Sequence, residues 1–342
     1  MVANNLLQST PLMTAADLQM AFDYDTLSLV PRLASTVEHR NDVDPSVDLP
    51  LGRLSLPLVS SPMPDVTGDV MCDTLAKEGV MGVFHRFLPI EQHVSGIKTA
   101  IASAANPARV AAAIGITGDY QERYQALHEA GCRVFCLDTA NGAHTQVSRS
   151  LEWIRSQDPT CFLMAGNVAS KEAFSWLEDA GADGIRVGIA GGSVCETKTE
   201  TGVYAPTPWA VYEAASVRKR ALIIGDSGVR TPADMCKLLA LGADLVMVGS
   251  AFAGTKESPG RILMVEGKKF KIMRGAASFS VQQEVGRSDP EYVEGAETLV
   301  PYKGSVREVL QRYSAGLRSS MSYMNARTLE EFRENVSFIR IG

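Results

Sequence analysis

A cysteine and a threonine stand two residues apart in a glycine-rich run of this chain. The run reads Val187-Gly188-Ile189-Ala190-Gly191-Gly192-Ser193-Val194-Cys195-Glu196-Thr197, and the residues that lead into it favour a strand. Glycines permit positive φ angles and let a ligand approach the backbone closely. Free cysteines often fill the core, but a thiol on such a loop is a candidate nucleophile. We therefore predict that Cys195 is catalytic and that the Thr197 hydroxyl faces the same ligand.

The Thr197 hydroxyl needs a partner, because a hydroxyl transfers protons poorly unless a carboxylate supports it. Residues 283–298 are polar and punctuated by Gly and Pro, and they carry Glu291 and Glu294. Such a composition predicts a mobile flap at about residues 280–300. Either carboxylate could support Thr197, or both could be solvated surface charges.

Two glycine-containing turns favour a phosphate site. Residues 225–229 and 247–251 each follow a predicted strand, where backbone N–H groups of barrel loops bind phosphate. Asp226 suits ribose hydroxyls better than phosphate, so the two turns together predict a nucleoside monophosphate. Alternatively, the glycines only close tight turns.

Other polar residues also follow predicted strands. Asp138, Asn141 and Asn167 could orient a second ligand. His85 and His144 could act as bases, but no spacing to a nucleophile singles either one out, so we expect both to position other groups.

The elements that must hold these residues alternate regularly from about residue 56. Strands are predicted at residues 56–60, 81–84, 110–116, 134–137, 162–165, 184–187, 222–224 and 245–248, and helices at 69–79, 90–105, 119–130, 144–156, 171–180, 206–220 and 231–241. Eight strands with intervening helices predict a parallel (β/α)8 TIM barrel. A doubly wound open sheet is the alternative, although no G-x-G-x-x-G run opens a helix. We expect a hairpin at 267–271, a helix at 305–319 and an extension at 1–50 that wraps the barrel.

Composition excludes several classes of function. The 342 residues are 45% hydrophobic, carry a net charge of −6 and show no basic cluster, which argues against a nucleic-acid partner. The N-terminus carries no signal-like segment, and no apolar run is long enough to span a membrane. Six cysteines in a chain of this length do not suggest a disulfide framework. We expect a cytoplasmic protein in a reducing compartment.

Four motifs resemble the inosine-monophosphate dehydrogenase and guanosine-monophosphate reductase family. Besides the Cys195 run, they are Leu137-Asp138-Thr139-Ala140-Asn141-Gly142, Met164-Ala165-Gly166-Asn167-Val168 and, from Glu294-Gly295 onward, Val300-Pro301-Tyr302-Lys303-Gly304. The ending, from Gly316 to Ile341, is similar as well. The resemblance covers residues 22–341 and implies a single catalytic barrel domain over 1–342, usually tetrameric.

The resemblance also implies roles. A cysteine of this family bonds to purine C2, where a nicotinamide cofactor exchanges hydride, so Cys195 is the implied nucleophile and Thr197 with Glu294 the implied proton-handling pair. The residues implied to hold the nucleotide are Ser193, Asp226, Ser227, Gly228, Gly249, Ser250, Gly275, Ala276, Ala277 and Gly295. The residues implied to face the cofactor are His39, Arg40, Arg86, Asp138, Thr139, Ala140, Asn141, Ile189, Ala190, Tyr292, Ser319 and Ser320. His39 and Arg40 match the part of the site that favours NADPH. The carbonyls of Ala190, Gly192 and Cys195 resemble a monovalent-cation (K⁺) site.

Within the family, the sequence favours the reductase branch. Dehydrogenases usually insert a nucleotide-sensing module, for which the segment after Phe84 has no room, and they carry an Arg-Tyr pair in the flap. Here the flap reads Arg287-Ser288, and Tyr292 follows Glu291. We expect NADPH-dependent conversion of GMP to IMP and ammonia by a homotetramer.

Other functions stay open. They are IMP dehydrogenation to XMP, reduction of a 7-deazaguanine nucleotide, and nucleotide binding without catalysis. The deazaguanine alternative rests on departures from the family pattern, such as Asp226-Ser227-Gly228 where Asp-Gly-Gly is usual.

Overall fold

The computed structural model describes residues 20–284, 286 and 294–341. Its strands and helices, in chain order, are β1 (Leu27–Val30), β2 (Val47–Leu49), β3 (Gly52–Leu54), β4 (Leu58–Ser60), α1 (Asp69–Lys77), β5 (Gly82–Phe84), α2 (Ile90–Ser103), β6 (Val110–Ile114), α3 (Tyr120–Glu129), β7 (Val134–Asp138), α4 (Thr145–Gln157), β8 (Phe162–Val168), α5 (Lys171–Asp179), β9 (Gly184–Val187), α6 (Thr197–Thr201), α7 (Thr207–Val217), β10 (Leu222–Asp226), α8 (Pro232–Ala240), β11 (Leu245–Val248), β12 (Leu263–Val265), β13 (Lys268–Arg274), α9 (Phe279–Glu284), β14 (Glu297–Pro301), α10 (Val306–Tyr323), α11 (Leu329–Asn335) and β15 (Ser337–Arg340).

Eight parallel strands form the centre of the molecule. Their order is β4-β11-β10-β9-β8-β7-β6-β5, and a parallel bridge between Val59 and Met81 joins the first strand to the last. The predicted (β/α)8 barrel is thus confirmed, and the open-sheet alternative is wrong. Nearly every strand residue is buried, because side chains fill the barrel on one face and meet the helices on the other.

The barrel strands and helices lie close to their predicted positions. β9 and β11 have the predicted bounds, and the others shift by a few residues at their ends. Gly131, Gly181 and Gly242 follow α3, α5 and α8 with φ of 96°, 98° and 110°. Glycine adopts this helix-ending conformation without steric strain because it has no Cβ atom. A glycine between an amphipathic segment and an apolar run therefore predicts the end of a helix and the start of a strand.

The two chain extensions meet on the outside of the barrel. β1 pairs antiparallel with β15, and β2 pairs with β3 in a short hairpin. The predicted hairpin is present as β12 and β13, but β14 pairs with β13 as a third strand that the sequence did not predict. In the described part of the chain, no helix combines the length and the apolar character that crossing a membrane requires.

Two histidines, His85 directly after β5 and His93 within α2, are buried in the neutral form. Burial lowers the pKa of His85 to about 4 and that of His93 to about 3, and the nearby Arg123 guanidinium adds to both shifts. His85 accepts a hydrogen bond from the backbone N–H of Phe87 through Nδ1, and Arg123 lies 3.3 Å from Nδ1 of His93. Neither ring is arranged as a general base, and both belong to the packing of the barrel wall.

We predict that these two buried histidines make the folded protein less stable in acid. The unfolded chain binds their protons near pH 6.5 and the folded chain does not, so stability is lost as pH falls below 6.5. Between pH 7 and pH 5 each histidine should lower the free energy of unfolding by about 2 kcal/mol. Urea titrations at the two pH values measure this, and His93→Phe should reduce the difference. His144→Asn, which alters an exposed helix cap, should not change it, and an equal pH response in all three proteins would contradict the prediction.

Candidate active site

A cavity of about 560 Å³ opens at the carboxyl-terminal end of the barrel. Residues at or just after the carboxyl ends of seven of the eight barrel strands line it, and β6 is the strand that contributes none. Small-molecule sites have volumes of roughly 300–1,000 Å³ and occupy this end of TIM barrels. The predicted site residues that line the cavity are Arg86, Asp138, Thr139, Ala140, Ile189, Ala190, Gly192, Ser193, Cys195, Thr197, Asp226, Ser227, Gly228, Gly249, Ser250, Gly275, Ala276, Ala277, Glu294 and Gly295.

Three side chains form a hydrogen-bonded chain inside this cavity. The Cys195 thiol lies 3.3 Å from Oγ1 of Thr197, and Thr197 donates to Oε2 of Glu294 at 2.7 Å. Cys195 is half-exposed, whereas the other five cysteines are buried. The sequence placed these three residues in one site, and the structure brings them into contact. A thiol, a hydroxyl and a carboxylate in series can attack a carbon and pass a proton to a leaving group.

Backbone hydrogen bonds hold the Cys195 loop against the base of the flap. The N–H of Glu196 donates to the carbonyl of Glu294 at 2.9 Å, and the N–H of Ala296 donates to the carbonyl of Val194 at 3.0 Å. A side chain at Gly275 would come within 2.7 Å of the Val194 carbonyl. Glycine at this position therefore lets the loop and the flap base approach, which fixes Glu294 beside Thr197.

A buried ion-pair network lies beneath the cavity. Arg186, in the middle of β9, donates to Oδ1 of Asp138 at 2.9 Å and to Oδ2 of Asp226 at 3.0 Å. Asn167 donates to the same oxygen of Asp226 at 2.8 Å, and Arg86 donates to Oδ2 of Asp138 at 3.3 Å. Burial alone would raise the pKa of Asp138, but the charges of Arg186 and Arg86 lower it below its usual value. The Asp138 carboxylate is therefore held ionised, and the hydrogen bonds fix the direction of both carboxylates.

Arg186 is the functional residue that the sequence analysis missed. It occupies a buried strand between Ile185 and Val187, where nearly all neighbours are apolar. A charged residue in the interior of a barrel strand must pair with opposite charge. That single departure from an apolar run was the available signal.

The loop after β10 combines an acid with two unusual backbone conformations. Ser227 has φ of 91° and Gly228 has φ of 79°. The Tyr24 hydroxyl donates a hydrogen bond to the Ser227 carbonyl at 2.9 Å. A side chain at Gly188 would lie 1.9 Å from the Asp226 carbonyl, so this glycine is required for the close contact between the two loops. The result is a rigid turn that presents Asp226 and free backbone groups to the cavity.

The second candidate phosphate turn, after β11, is anchored by a lysine. Lys303 donates from Nζ to the carbonyls of Ser250 and Ala251, at 2.5 and 3.3 Å. Burial lowers the pKa of Lys303 below its usual value. With those carbonyls turned toward Lys303, the turn is fixed beside Gly249, which lines the cavity. Its position beside the Asp226 turn fits a phosphate and a ribose held by neighbouring loops.

Comparison with known proteins agrees with this geometry. The family described as IMP dehydrogenase / GMP reductase domain matches residues 21–342. The chain belongs to this family. It is similar to an inosine-5'-monophosphate dehydrogenase of Borreliella burgdorferi, with 31% identity over 382 aligned positions that cover 94% of each chain.

Two further relatives of this family match a shorter stretch. Inosine-5'-monophosphate dehydrogenases of Streptococcus pyogenes and Nitrosopumilus maritimus are each 39% identical over 68% of this chain. The matched stretch spans 50% and 52% of those relatives, about half of their length. Members of the family are oxidoreductases that act on purine nucleoside monophosphates with a nicotinamide cofactor.

Several residues that the family resemblance assigned to the cofactor do not line the cavity. His39 and Arg40 are exposed at a short 3-10 helix (Arg40–Asp42), and Ser319 and Ser320 lie on α10, which packs against that helix. They form a second location, separate from the Cys195 site of the same chain. Asn141 is exposed and accepts a hydrogen bond from the N–H of Ala143. Tyr292 lies outside the described residues, as do most of the flap residues 285–293.

The predicted K⁺ ligands are backbone carbonyls of the Cys195 loop. Ala190 has a positive φ of 61°, and the Gly192 carbonyl accepts a hydrogen bond from the Cys195 N–H at 3.2 Å. A carbonyl oxygen has two lone pairs, so this bond leaves one for a cation. The loop fits the predicted cation, and its role as a site stays a prediction.

Removing the charge of Arg186 should affect both sides of the cavity at once. Arg186→Met leaves Asp138 and Asp226 buried without their shared partner, which costs about 3–5 kcal/mol when one member of a buried pair is lost. We expect a lower melting temperature and weaker binding of both nucleotide and cofactor, measured by thermal unfolding and calorimetry. Arg218→Met, which breaks a more exposed pair with Asp244, is the matched control. Normal binding of both ligands by Arg186→Met would contradict the prediction.

Proposed function

We propose that this protein catalyses the reductive deamination of a guanine nucleoside monophosphate. GMP, NADPH and two protons give IMP, NADP⁺ and ammonium, so the C–N bond at C2 is replaced by a C–H bond. The observation that carries the proposal is the chain Cys195–Thr197–Glu294 in a cavity of nucleotide size. The three groups supply a nucleophile and a route for the proton that an amine leaving group needs.

The residues of the cavity divide the work between them. Asp226 accepts from the ribose hydroxyls, and the turns at Ser227-Gly228 and Gly249-Ser250 donate backbone N–H groups to the phosphate. The Cys195 thiolate then attacks C2 of the held purine. Glu294 passes a proton through the Thr197 hydroxyl to the 2-amino group, which leaves as ammonia. When C2 gains the hydride that a bound nicotinamide cofactor would supply, the Cys195–C2 bond breaks and the sulfur leaves with the electron pair as thiolate.

The side of the cavity near β5 and β7 fits the nicotinamide cofactor. It presents the Arg86 guanidinium, the Asp138 carboxylate and the Thr139 hydroxyl, which suit an anionic, hydroxyl-rich ligand. Arg86 also lies 4.6 Å from the ring centre of Phe87, which holds the guanidinium in place. When bound, the cofactor supplies the hydride that reaches C2. Ser319, Ser320, His39 and Arg40 are proposed for NADPH only through the family resemblance, as are K⁺ binding and a homotetramer.

The flap sequence supports reduction over dehydrogenation. A dehydrogenase must activate water at C2, for which the family uses an Arg-Tyr pair. This sequence has Arg287-Ser288 instead, and an aliphatic serine hydroxyl ionises far less readily than the phenol of tyrosine. Without that base, the thiol adduct is resolved by hydride rather than by water.

IMP dehydrogenation is the second candidate function. The relatives described above are all named as inosine-5'-monophosphate dehydrogenases, which favours it. A 7-deazaguanine nucleotide is a variant of the first candidate, since it keeps C2 and the 2-amino group and needs the same three residues.

One set of assays separates these functions. The protein is mixed with GMP and NADPH, with a 7-deazaguanine monophosphate and NADPH, and with IMP and NAD⁺ or NADP⁺, while the absorbance of the reduced cofactor is followed. Consumption of NADPH with GMP and release of one ammonia per cofactor are expected. XMP formed from IMP at many turnovers would overturn the proposal in favour of the dehydrogenase. Inactivity with every pair, together with tight nucleotide binding, would leave a binding protein. Repeating the assay with NADH and without K⁺ tests the cofactor and cation predictions.

A further inference from the structure

A second cluster of chemically reactive side chains lies at the opposite end of the barrel. His128 is at the end of α3, before β7, and Asp158 and Cys161 connect α4 to β8. The cluster therefore lies at the amino-terminal ends of β7 and β8, whereas the Cys195 cavity lies at the carboxyl-terminal ends of the barrel strands. Nothing in the proposed reaction uses these residues.

The three side chains converge on one oxygen atom. Nε2 of His128 lies 2.8 Å from Oδ2 of Asp158, and the Cys161 thiol donates to the same oxygen at 3.5 Å. All three ligand atoms lie within 4.8 Å of one another. Imidazole nitrogen, carboxylate oxygen and thiolate sulfur are the ligands that Zn²⁺ prefers. Around a tetrahedral zinc ion, such atoms are about 3.3–3.6 Å apart, so only a small opening of the cluster would admit the metal.

The surrounding residues orient the ligands as an outer shell does at metal sites. The backbone N–H and the hydroxyl of Thr160 both donate to Oδ1 of Asp158, at 2.8 and 2.6 Å. This leaves the other oxygen, Oδ2, directed at His128 and Cys161. The Tyr124 ring stacks on the His128 imidazole at 5.5 Å between centres, which fixes the plane of the ring.

Charge and access also suit a divalent metal. With Cys161 as thiolate and Asp158 as carboxylate, a Zn²⁺ ion is neutralised by its own ligands. The neighbouring guanidinium of Arg133, 3.8 Å from Asp158, donates through Nη1 to the carbonyls of His128 and Cys132 and is thereby held to the backbone. Cys161 is buried, whereas the side chains of His128 and Asp158 keep 28% and 16% of their exposure. The fourth position of the metal therefore faces solvent and is available to water.

We propose that His128, Asp158 and Cys161 bind a zinc ion that ties the α3–β7 connection to the α4–β8 connection. The metal takes the place of the protons that the three groups now share, so binding releases the thiol proton, and also the imidazole proton where the ring is charged. A site at the amino-terminal end of a TIM barrel serves stability rather than chemistry. Zinc should accordingly raise the melting temperature, because it binds the folded chain and finds no assembled site in the unfolded one.

The test uses the full-length protein with Cys195→Ser as background, so that the exposed active-site thiol cannot bind the metal. Zinc affinity is measured by competition with a chromophoric chelator. We expect one zinc per chain, with weakening of more than about 100-fold in Cys161→Ser and Asp158→Asn, since even outer-shell losses cost roughly 10- to 100-fold. Cys236→Ser, which removes another buried thiol on α8, is the matched control and should bind normally.

Cobalt gives a second readout that does not depend on stability. Co²⁺ bound to a thiolate shows sulfur-to-metal charge-transfer absorption, which should appear in the background protein and vanish in Cys161→Ser. Circular dichroism confirms that each variant is folded. If Cys161→Ser does not fold, the site is tested by the loss of zinc affinity in the isosteric Asp158→Asn, which keeps the thiolate. Equal zinc affinity in all variants, binding only at millimolar metal, or cobalt spectra without the thiolate band would each overturn the proposal. Failure here would leave the proposed reaction untouched, because the two sites share no residue.

Discussion

Replacing Cys195 with alanine is expected to abolish turnover, by about 10⁴-fold or more, while nucleotide affinity changes little. The loss follows from removing the sulfur atom that we propose attacks C2, and loss of a nucleophile costs this order of rate in enzymes with covalent intermediates. Binding should persist because backbone bonds from Gly192, Glu294 and Ala296, and not the thiol, hold the loop in place. NADPH oxidation gives the rate, and calorimetry with GMP gives the affinity.

The control for this experiment is another cysteine. Cys236→Ala removes a buried thiol on α8 and should keep activity within about twofold. Mass spectrometry of the native protein, quenched during turnover, should show a purine adduct on Cys195. Substantial turnover by Cys195→Ala would mean that the carbon is attacked by some other group.

The barrel was predictable because its local rules are simple. Three of the barrel helices, α3, α5 and α8, are followed by Gly131, Gly181 and Gly242, and the strand after each is a short apolar run. These features depend on neighbours in sequence, so a single chain displays them. β14 was missed because its residues, Glu297–Pro301, are mostly exposed and pair only on one side with β13. An edge strand gains its order from its partner and not from its own composition.

The site was partly predictable for a different reason. Turn chemistry marks Cys195, Asp226 and Gly249, and the barrel fold brings all loops after strands to one end. The contact between Thr197 and Glu294, which are 97 residues apart, could not be derived from spacing. It was available through the family resemblance, and the structure supplies the distance.

The two carboxylates at the cavity show where sequence reasoning stops. Asp138 and Asp226 were assigned to different ligands, one to the cofactor and one to the nucleotide. The structure joins them through Arg186, which contacts both. A substitution meant for one subsite will therefore disturb the other, and kinetic data on this chain should be analysed with both ligands varied.

Replacing Glu294 with glutamine is the second change with a large expected effect. The glutamine amide keeps the shape of the side chain and its contact with Thr197, but it cannot give up or take up a proton as a carboxyl group does. Proton transfer to the 2-amino group should slow by about 10²- to 10⁴-fold, the usual contribution of a positioned acid or base. Hydride exchange should survive, because that step follows the loss of ammonia and needs no proton at the amine. Ammonia release from GMP measures the first step, and formation of reduced cofactor from IMP and NADP⁺ measures the second.

The split between these two steps is what distinguishes a proton relay from a structural contact. Glu297→Gln, three residues along and exposed at the start of β14, changes the charge of the same segment without touching Thr197, and should leave both steps intact. If Glu294→Gln slowed both steps equally, the carboxylate would serve to place the Cys195 loop rather than to move protons. If it slowed neither, the acid would lie elsewhere. Only selective loss of deamination agrees with a proton that travels from Glu294 through a hydroxyl 2.7 Å away to the departing nitrogen.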